Sequence, residues 1–182
     1  MTVAGVVLVL VVAGAFVVHR YVGTTSYYMP AASMEPFIMA GEHFEAERVD
    51  EYVPRRGDVL VFEDGAGWLG PMATDGQLVK RVIGVPGDTI VCCDDEGRLS
   101  INGEPLDESA YIDMSRFPCA GPMIPSCDWS AGPVPADRLF VLGDNRDDSA
   151  DSSFMLCRSE STARDPDLAY VSVESVLAIA TK

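Results

Sequence analysis

Residues 77–85 constrain this chain more than any other stretch, because they set Lys80 inside an otherwise apolar run that ends at Pro86-Gly87-Asp88. Strand alternation puts Leu78 and Val82 on the face of Lys80 and turns Arg81 to the opposite face. The chain has eleven arginines but only two lysines, the other being Lys182. Lysine loses its proton when buried, and arginine does not. A chain that writes its positive charge as arginine, yet sets a lysine among aliphatic residues, points to chemistry that needs a neutral amine. An unperturbed lysine is only about 0.04% neutral at pH 7, and bringing its pKa near neutrality costs roughly 4 kcal/mol, which burial can supply. The plain alternative is a lysine on a solvated strand face, held in a salt bridge.

The matching group is Ser33, in Met29-Pro30-Ala31-Ala32-Ser33-Met34-Glu35-Pro36. Prolines on both sides hold its backbone in extended or turn geometry. A hydroxyl and a neutral amine together make a nucleophile and its general base. Histidine offers little competition. His19 borders the apolar N-terminus, and His43, in GEHF, has nothing arranged around it as a triad would require.

The rest reads as short strands. Residues 58–62 form an apolar run after Pro54 and Gly57, and residues 89–92 and 99–101 flank the turn DDEG. Asn102-Gly103 is a second turn signal, and residues 138–143 restore strand character. Residues 104–136 hold six prolines and read as irregular. Residues 155–167 read as a polar loop or short helical turn, and residues 171–180 as a closing strand or short helix. This pattern predicts a mainly β domain.

Residues 2–18 carry no charge. At ~1.5 Å per residue they give roughly 25 Å, the short end of a membrane span. Without an opening Lys or Arg they do not resemble a cleaved leader, and without a polar face they do not resemble a core helix of the domain, so an anchor is expected. Arg20, on the C-terminal side, would by charge alone leave the following domain in the cytoplasm. The connector to residue 33 is short, which holds Ser33 close to the bilayer. The net charge of −15 excludes a nucleic-acid partner, since nothing basic remains to neutralise phosphate. The five cysteines show no paired CxxC spacing of a zinc site. Adjacent Cys92 and Cys93 point to opposite faces if both lie in a strand, and so are poorly placed to bridge each other.

SMEP, RGDVLVF (56–62), KRVIGVPGD (80–88) and GDNRDDSADS (143–152) stand in this order and at suitable spacing. Together they resemble the blocks of bacterial type I signal peptidases, membrane-bound Ser/Lys endopeptidases that remove signal peptides from exported proteins. The resemblance implies a signal-peptidase-like β catalytic core at 24–88 and 137–182. It also implies a small inserted β-rich or irregular region at 89–136 and one N-terminal transmembrane helix at 1–23. It makes Ser33 the nucleophile and Lys80 the base. Ser149 would hydrogen-bond and orient the lysine amine, Asp144 would pair with Arg81, and Asp151 would support the same corner. Met29, Pro30, Ala31, Met34, Ile38, Leu78 and Val79 would line small apolar pockets that accept alanine-sized side chains. Some relatives close a short-loop disulfide in the inserted region, which here implies Cys119–Cys127. The expected partners are signal peptides of preproteins and a lipid bilayer, with no metal, no cofactor and a monomeric chain. The expected location is the bacterial plasma membrane, single-pass, with the catalytic domain outside, against the charge rule above.

Three departures from the family pattern matter. The usual Asp-Ser-Arg reads Asp151-Ser152-Ser153, so Asp151 lacks its arginine neighbour, for which Arg146 or Arg158 would have to substitute. Ala31 stands where a Ser or Gly is common, so no hydroxyl there can help hold an oxyanion. Glu42 replaces an Asp. The competing readings are a self-cleaving Ser/Lys regulatory protease, which would carry its own scissile bond, and a non-catalytic membrane-tethered β module or inactive relative.

Overall fold

The computed structural model describes residues 21–65, 67–68, 76–112, 129–162 and 166–181. The apolar run 2–18 and the Cys119–Cys127 pair lie outside these residues. Among the described residues no helix is long and apolar enough to cross a membrane.

The strands are β1 (Tyr21–Tyr28), β2 (His43–Val49), β3 (Val59–Glu63), β4 (Gln77–Gly84), β5 (Ile90–Cys92), β6 (Ser100–Ile101), β7 (Glu104–Pro105), β8 (Trp129–Ala131), β9 (Arg138–Leu142), β10 (Val171–Ser172) and β11 (Val176–Thr181). Seven form one sheet in the order β1-β2-β11-β3-β4-β9-β10, and four form another in the order β7-β6-β5-β8. All pairings are antiparallel. The protein is mainly β, as the short apolar runs predict.

The pairing around DDEG matches the sequence pattern: Ile90 faces Ile101 and Val91 faces Ser100. Asn102 (φ 55°) and Gly103 (φ 86°) then turn β6 into β7, the positive-φ pair that a tight hairpin needs. Two sequence ambiguities resolve. The run at 171–180 becomes strand β10, a 3-10 turn over Val173–Ser175, and strand β11. The segment read as a loop or short turn is a full helix, α1 (Ser152–Thr162). Its Ser-rich sequence has little intrinsic helix propensity. Asp151 starts it by accepting the N–H groups of Ser153 (3.1 Å) and Phe154 (3.4 Å), while Met155 and Leu156 bury against the core.

Two expectations are corrected. Residues 21–28, taken as the end of the anchor and a connector, form edge strand β1, because they pair with β2 from Tyr21↔Val49 to Tyr28↔His43. Cys92 and Cys93 are joined as a disulfide, the peptide between them being cis. The alternation argument fails because β5 ends at Cys92, so Cys93 need not point away as a strand neighbour would.

One core joins the two sheets. Leu60, Phe62, Val82 and Phe140 of the large sheet pack in the same cluster as Ile90, Ile101, Trp129 and Ala131 of the small one. A second cluster holds Met29, Met34, Ile38, Phe44, Val59 and Val61. Gly84 sits where the sheets meet: a Cβ there would lie 2.6 Å from Ile90 Cδ1 and 3.2 Å from both Phe140 Cβ and Val134 Cγ2. Gly84→Ala is expected to lower unfolding free energy by about 1–3 kcal/mol through this overpacking, read from the urea midpoint at unchanged slope.

Candidate active site

The β1–β2 connection carries Ser33 on a 3-10 turn, Ala32–Met34. Ala31 (φ −125°, ψ 159°) and Glu35 (φ −66°, ψ 138°) are extended on either side, the second as its following proline requires. Of the extended or turn geometry expected between the prolines, Ser33 itself takes the turn, as the middle residue of a short 3-10 helix. Glu42 accepts the N–H of Met39 at 2.9 Å and helps close the connection.

Lys80 and Ser33 meet. Lys80 Nζ donates to Ser33 Oγ at 2.9 Å and to its neighbour's carbonyl, Val79 O, at 3.0 Å. Lys80 is 3% exposed and Ser33 7%. Burial pushes the amine from 10.5 down to about 8, against the charges of Asp151, Asp144 and Asp148, which raise it. Leu78 and Val82, on the face of Lys80, belong to the large core, and Met34, next to Ser33, belongs to the second cluster.

The residues around this pair are held by charge. Asp144 binds Arg81 through two parallel hydrogen bonds, Nε to Oδ1 at 2.7 Å and Nη2 to Oδ2 at 2.6 Å, and Arg81 Nη1 also donates to Gly57 O at 2.9 Å. Burial lifts the Asp144 carboxyl above its ordinary value, with the Arg81 hydrogen bonds opposing the rise. Asp151 Oδ2 accepts the N–H of Gly143 at 3.0 Å, and its Oδ1 accepts the Ser153 hydroxyl at 2.6 Å. Ser153 therefore satisfies the carboxylate that lacks an arginine neighbour. Arg146 does not substitute, since its guanidinium binds Glu108 and Gly143 O.

Ser149 is not hydrogen-bonded to the lysine. Its hydroxyl is buried without a hydrogen-bond partner, and the amine is occupied by Ser33 Oγ and Val79 O. It packs on Gly143, where a methyl would overlap both the Ser149 side chain and the Ser33 carbonyl oxygen. The expected pocket residues divide. Met29, Met34 and Ile38 are core, at 3%, 0% and 3% exposure, because they pack on Phe44, Ala46 and Val59. Leu78 is buried in the other core, Val79 is half-buried, and Pro30 and Ala31 are exposed. His43 is exposed, its ring 5.2 Å from that of Tyr28.

Sequence reasoning gave no role to Asn145 and Gly143, although both stand in the GDNR block. Asn145 grips the Ser33 turn twice: its N–H donates to Ser33 O and its Nδ2 to Ala32 O, both at 3.1 Å. No group of three or more metal-ligating side chains occurs among the described residues.

A model of the family described as signal peptidase, peptidase S26, matches residues 2–179. The chain belongs to the signal peptidase family. It is 37% identical over 131 residues to signal peptidase I of Leptolyngbya laminosa, covering 70% of this chain and 58% of that one. It is 30% identical over 214 residues to a probable signal peptidase I of Mycobacterium leprae, covering 94% of this chain and 72% of that one. A solved signal peptidase I from Enterococcus faecalis is 24% identical, with a TM-score of 0.43 over 72% of this chain and all of that one. The chain thus spans little more than half the length of the Leptolyngbya relative.

Two outcomes follow from the geometry. The unfolded chain binds a proton at Lys80 up to about pH 10.5 and the folded one only up to about 8, so this residue's penalty is full below pH 8 and fades as pH rises through that window. Lys80→Met is therefore expected to raise stability by about 1–3 kcal/mol at pH 7, with the gain shrinking toward pH 10 in urea titrations. Gly143→Ala is expected to displace the Ser33 turn and lower stability by about 1–3 kcal/mol, measured the same way.

Proposed function

We propose that this chain is a membrane-bound serine endopeptidase that cleaves signal peptides from exported preproteins after Ala-X-Ala-type sites. The observation that carries the reading is the buried Lys80 amine 2.9 Å from Ser33 Oγ. Family membership supports the substrate class.

In this reading the neutral amine takes the hydroxyl proton as Ser33 Oγ bonds to the scissile carbonyl carbon. The carbonyl oxygen becomes an oxyanion, for which the Ser33 backbone N–H is the proposed donor, position 31 having no hydroxyl to add. Collapse breaks the C–N bond, and the leaving amine takes the proton back from Lys80. Water, deprotonated by the same amine, then hydrolyses the acyl-enzyme. Asp144 and Arg81 hold the lysine strand, Asp151 holds the backbone of Gly143, and Ser149 lies beside the nucleophile turn.

The register of β4 supports an extended substrate. β3 pairs with it from Gln77 to Arg81, but β9 pairs only from Arg81 to Gly84. Among the described residues no strand pairs with Gln77–Lys80 on the β9 side, which suits an added peptide strand. Val79 lies on this edge, Pro30 and Ala31 are exposed beside the nucleophile turn, and Met29, Met34 and Ile38 are buried in one apolar cluster there. The uncharged run 2–18 serves as the single-pass anchor, with the catalytic residues outside the plasma membrane.

The test is cleavage of a precursor peptide by the full chain in detergent. A single cut after Ala-X-Ala is expected, falling away below about pH 8 as Lys80 takes a proton. Ser33→Ala and Lys80→Ala should each abolish it; an active Lys80→Ala chain would refute the assignment.

A further inference from the structure

We propose that Glu108 and Tyr111, presented by one backbone turn after β7, are positioning residues that hold the Ser33–Lys80 pair in register. The inference rests on the reading of that pair as the reacting groups. Nothing in the sequence marks Glu108, one of 28 acidic residues.

The turn is closed by the Tyr111 and Ile112 N–H groups, which donate to Glu108 O at 3.1 and 2.9 Å. It presents Glu108 and Tyr111 to the two buried arginines of the site. Glu108 accepts from both terminal nitrogens of Arg146, and the two side chains are 2% and 1% exposed. Arg146 Nε in turn donates to Gly143 O at 2.8 Å. Gly143 is the residue on which the Ser33 carbonyl and Ser149 pack. The Tyr111 ring lies against Arg81, 4.1 Å from guanidinium carbon to centroid, and its hydroxyl donates to Glu108 Oε1 at 2.8 Å. On the nucleophile side Phe37 also touches Arg81, at 4.9 Å. One carboxylate therefore fixes the arginine that holds Gly143 and the phenol that covers the arginine beside Lys80.

Two cations this deeply buried need separate anions. Asp144 is committed to Arg81 through both oxygens. With glutamine at position 108, both terminal nitrogens of Arg146 lose the charged oxygens that they bind, and a buried guanidinium weakened in this way rearranges or draws in water. Rearrangement reaches Gly143, and through it the Ser33 turn. Small misplacements of reacting groups cost far more in rate than in binding.

The experiment uses the full chain in detergent with the precursor peptide, and reads kcat, KM and the acid limb of the pH profile. Glu108→Gln is expected to lower kcat by about 10–100-fold, with KM within about twofold. It should also move the acid limb above about pH 8, as water reaches an amine still faced by Asp144, Asp148 and Asp151. Loss of a negative charge alone would move it the other way. Glu108→Asp should recover part of kcat, and Tyr111→Leu should show a smaller loss of the same kind. If Glu108→Gln does not fold, the double variant Glu108→Leu with Arg146→Met, which removes both charges, should fold and still be slow. Unchanged kcat and an unmoved acid limb in a folded variant, or a loss that only tracks the folded fraction, overturn the inference. A wild-type chain that cuts nothing overturns the dyad reading and this inference with it. Wild-type cutting beside an unaffected Glu108→Gln overturns this inference alone.

Discussion

A lysine amine kept out of water is the constraint on which this structure turns. Its desolvation works against the fold at neutral pH, yet it is what brings the amine within reach of a proton on Ser33. Its strand neighbours Leu78 and Val82 belong to one apolar cluster and Met34, next to Ser33, to the other. Three carboxylates near the amine pull the other way, and the final balance leaves it near the edge of the neutral range.

Around the amine, ionic groups act as spacers more than as glue. Arg81 with Asp144 fixes the strand of Lys80 to the turn after β9, and Arg146 with Glu108 fixes that turn to the segment after β7. Buried pairs of this kind contribute little net stability, because desolvation offsets their attraction. Their value lies in geometry: a bidentate guanidinium–carboxylate pair tolerates little sliding between the elements that it joins. Asp151 does the same for backbone, capping α1 with one oxygen and holding the Gly143 N–H with the other.

Much of this was legible in the sequence, for physical reasons. Short apolar runs between Pro and Gly announce strands, and a lone lysine in such a run announces an amine to be buried. The four blocks contain Ser33, Lys80, Arg81 and Asp144, which lie in hydrogen-bonded pairs in the structure. What stayed hidden depended on partners distant in sequence. Glu108 meets Arg146 across 38 residues, and no local pattern records it. The helix at Ser152 was missed because its stability comes from a cap and from packing, not from propensity. Cys92 and Cys93 were misjudged by extending strand alternation one residue past the end of a strand. Met29, Met34 and Ile38 stand out in the sequence by type and place, and their burial in one cluster with Phe44 and Val59 depends on the fold.

The position of β11 has a consequence for how such a chain comes to life on the ribosome. The hairpin β1–β2, with Ser33 in its connection, joins the strand of Lys80 within the sheet only by way of β11 and β3. Residues 176–181 are thus the keystone between the hairpin of Ser33 and the strand of Lys80, although they are made more than a hundred residues after Ser33. Long-range pairing of this sort forms late. A nascent chain that still lacks those residues has no strand to join the hairpin of Ser33 to the sheet of Lys80.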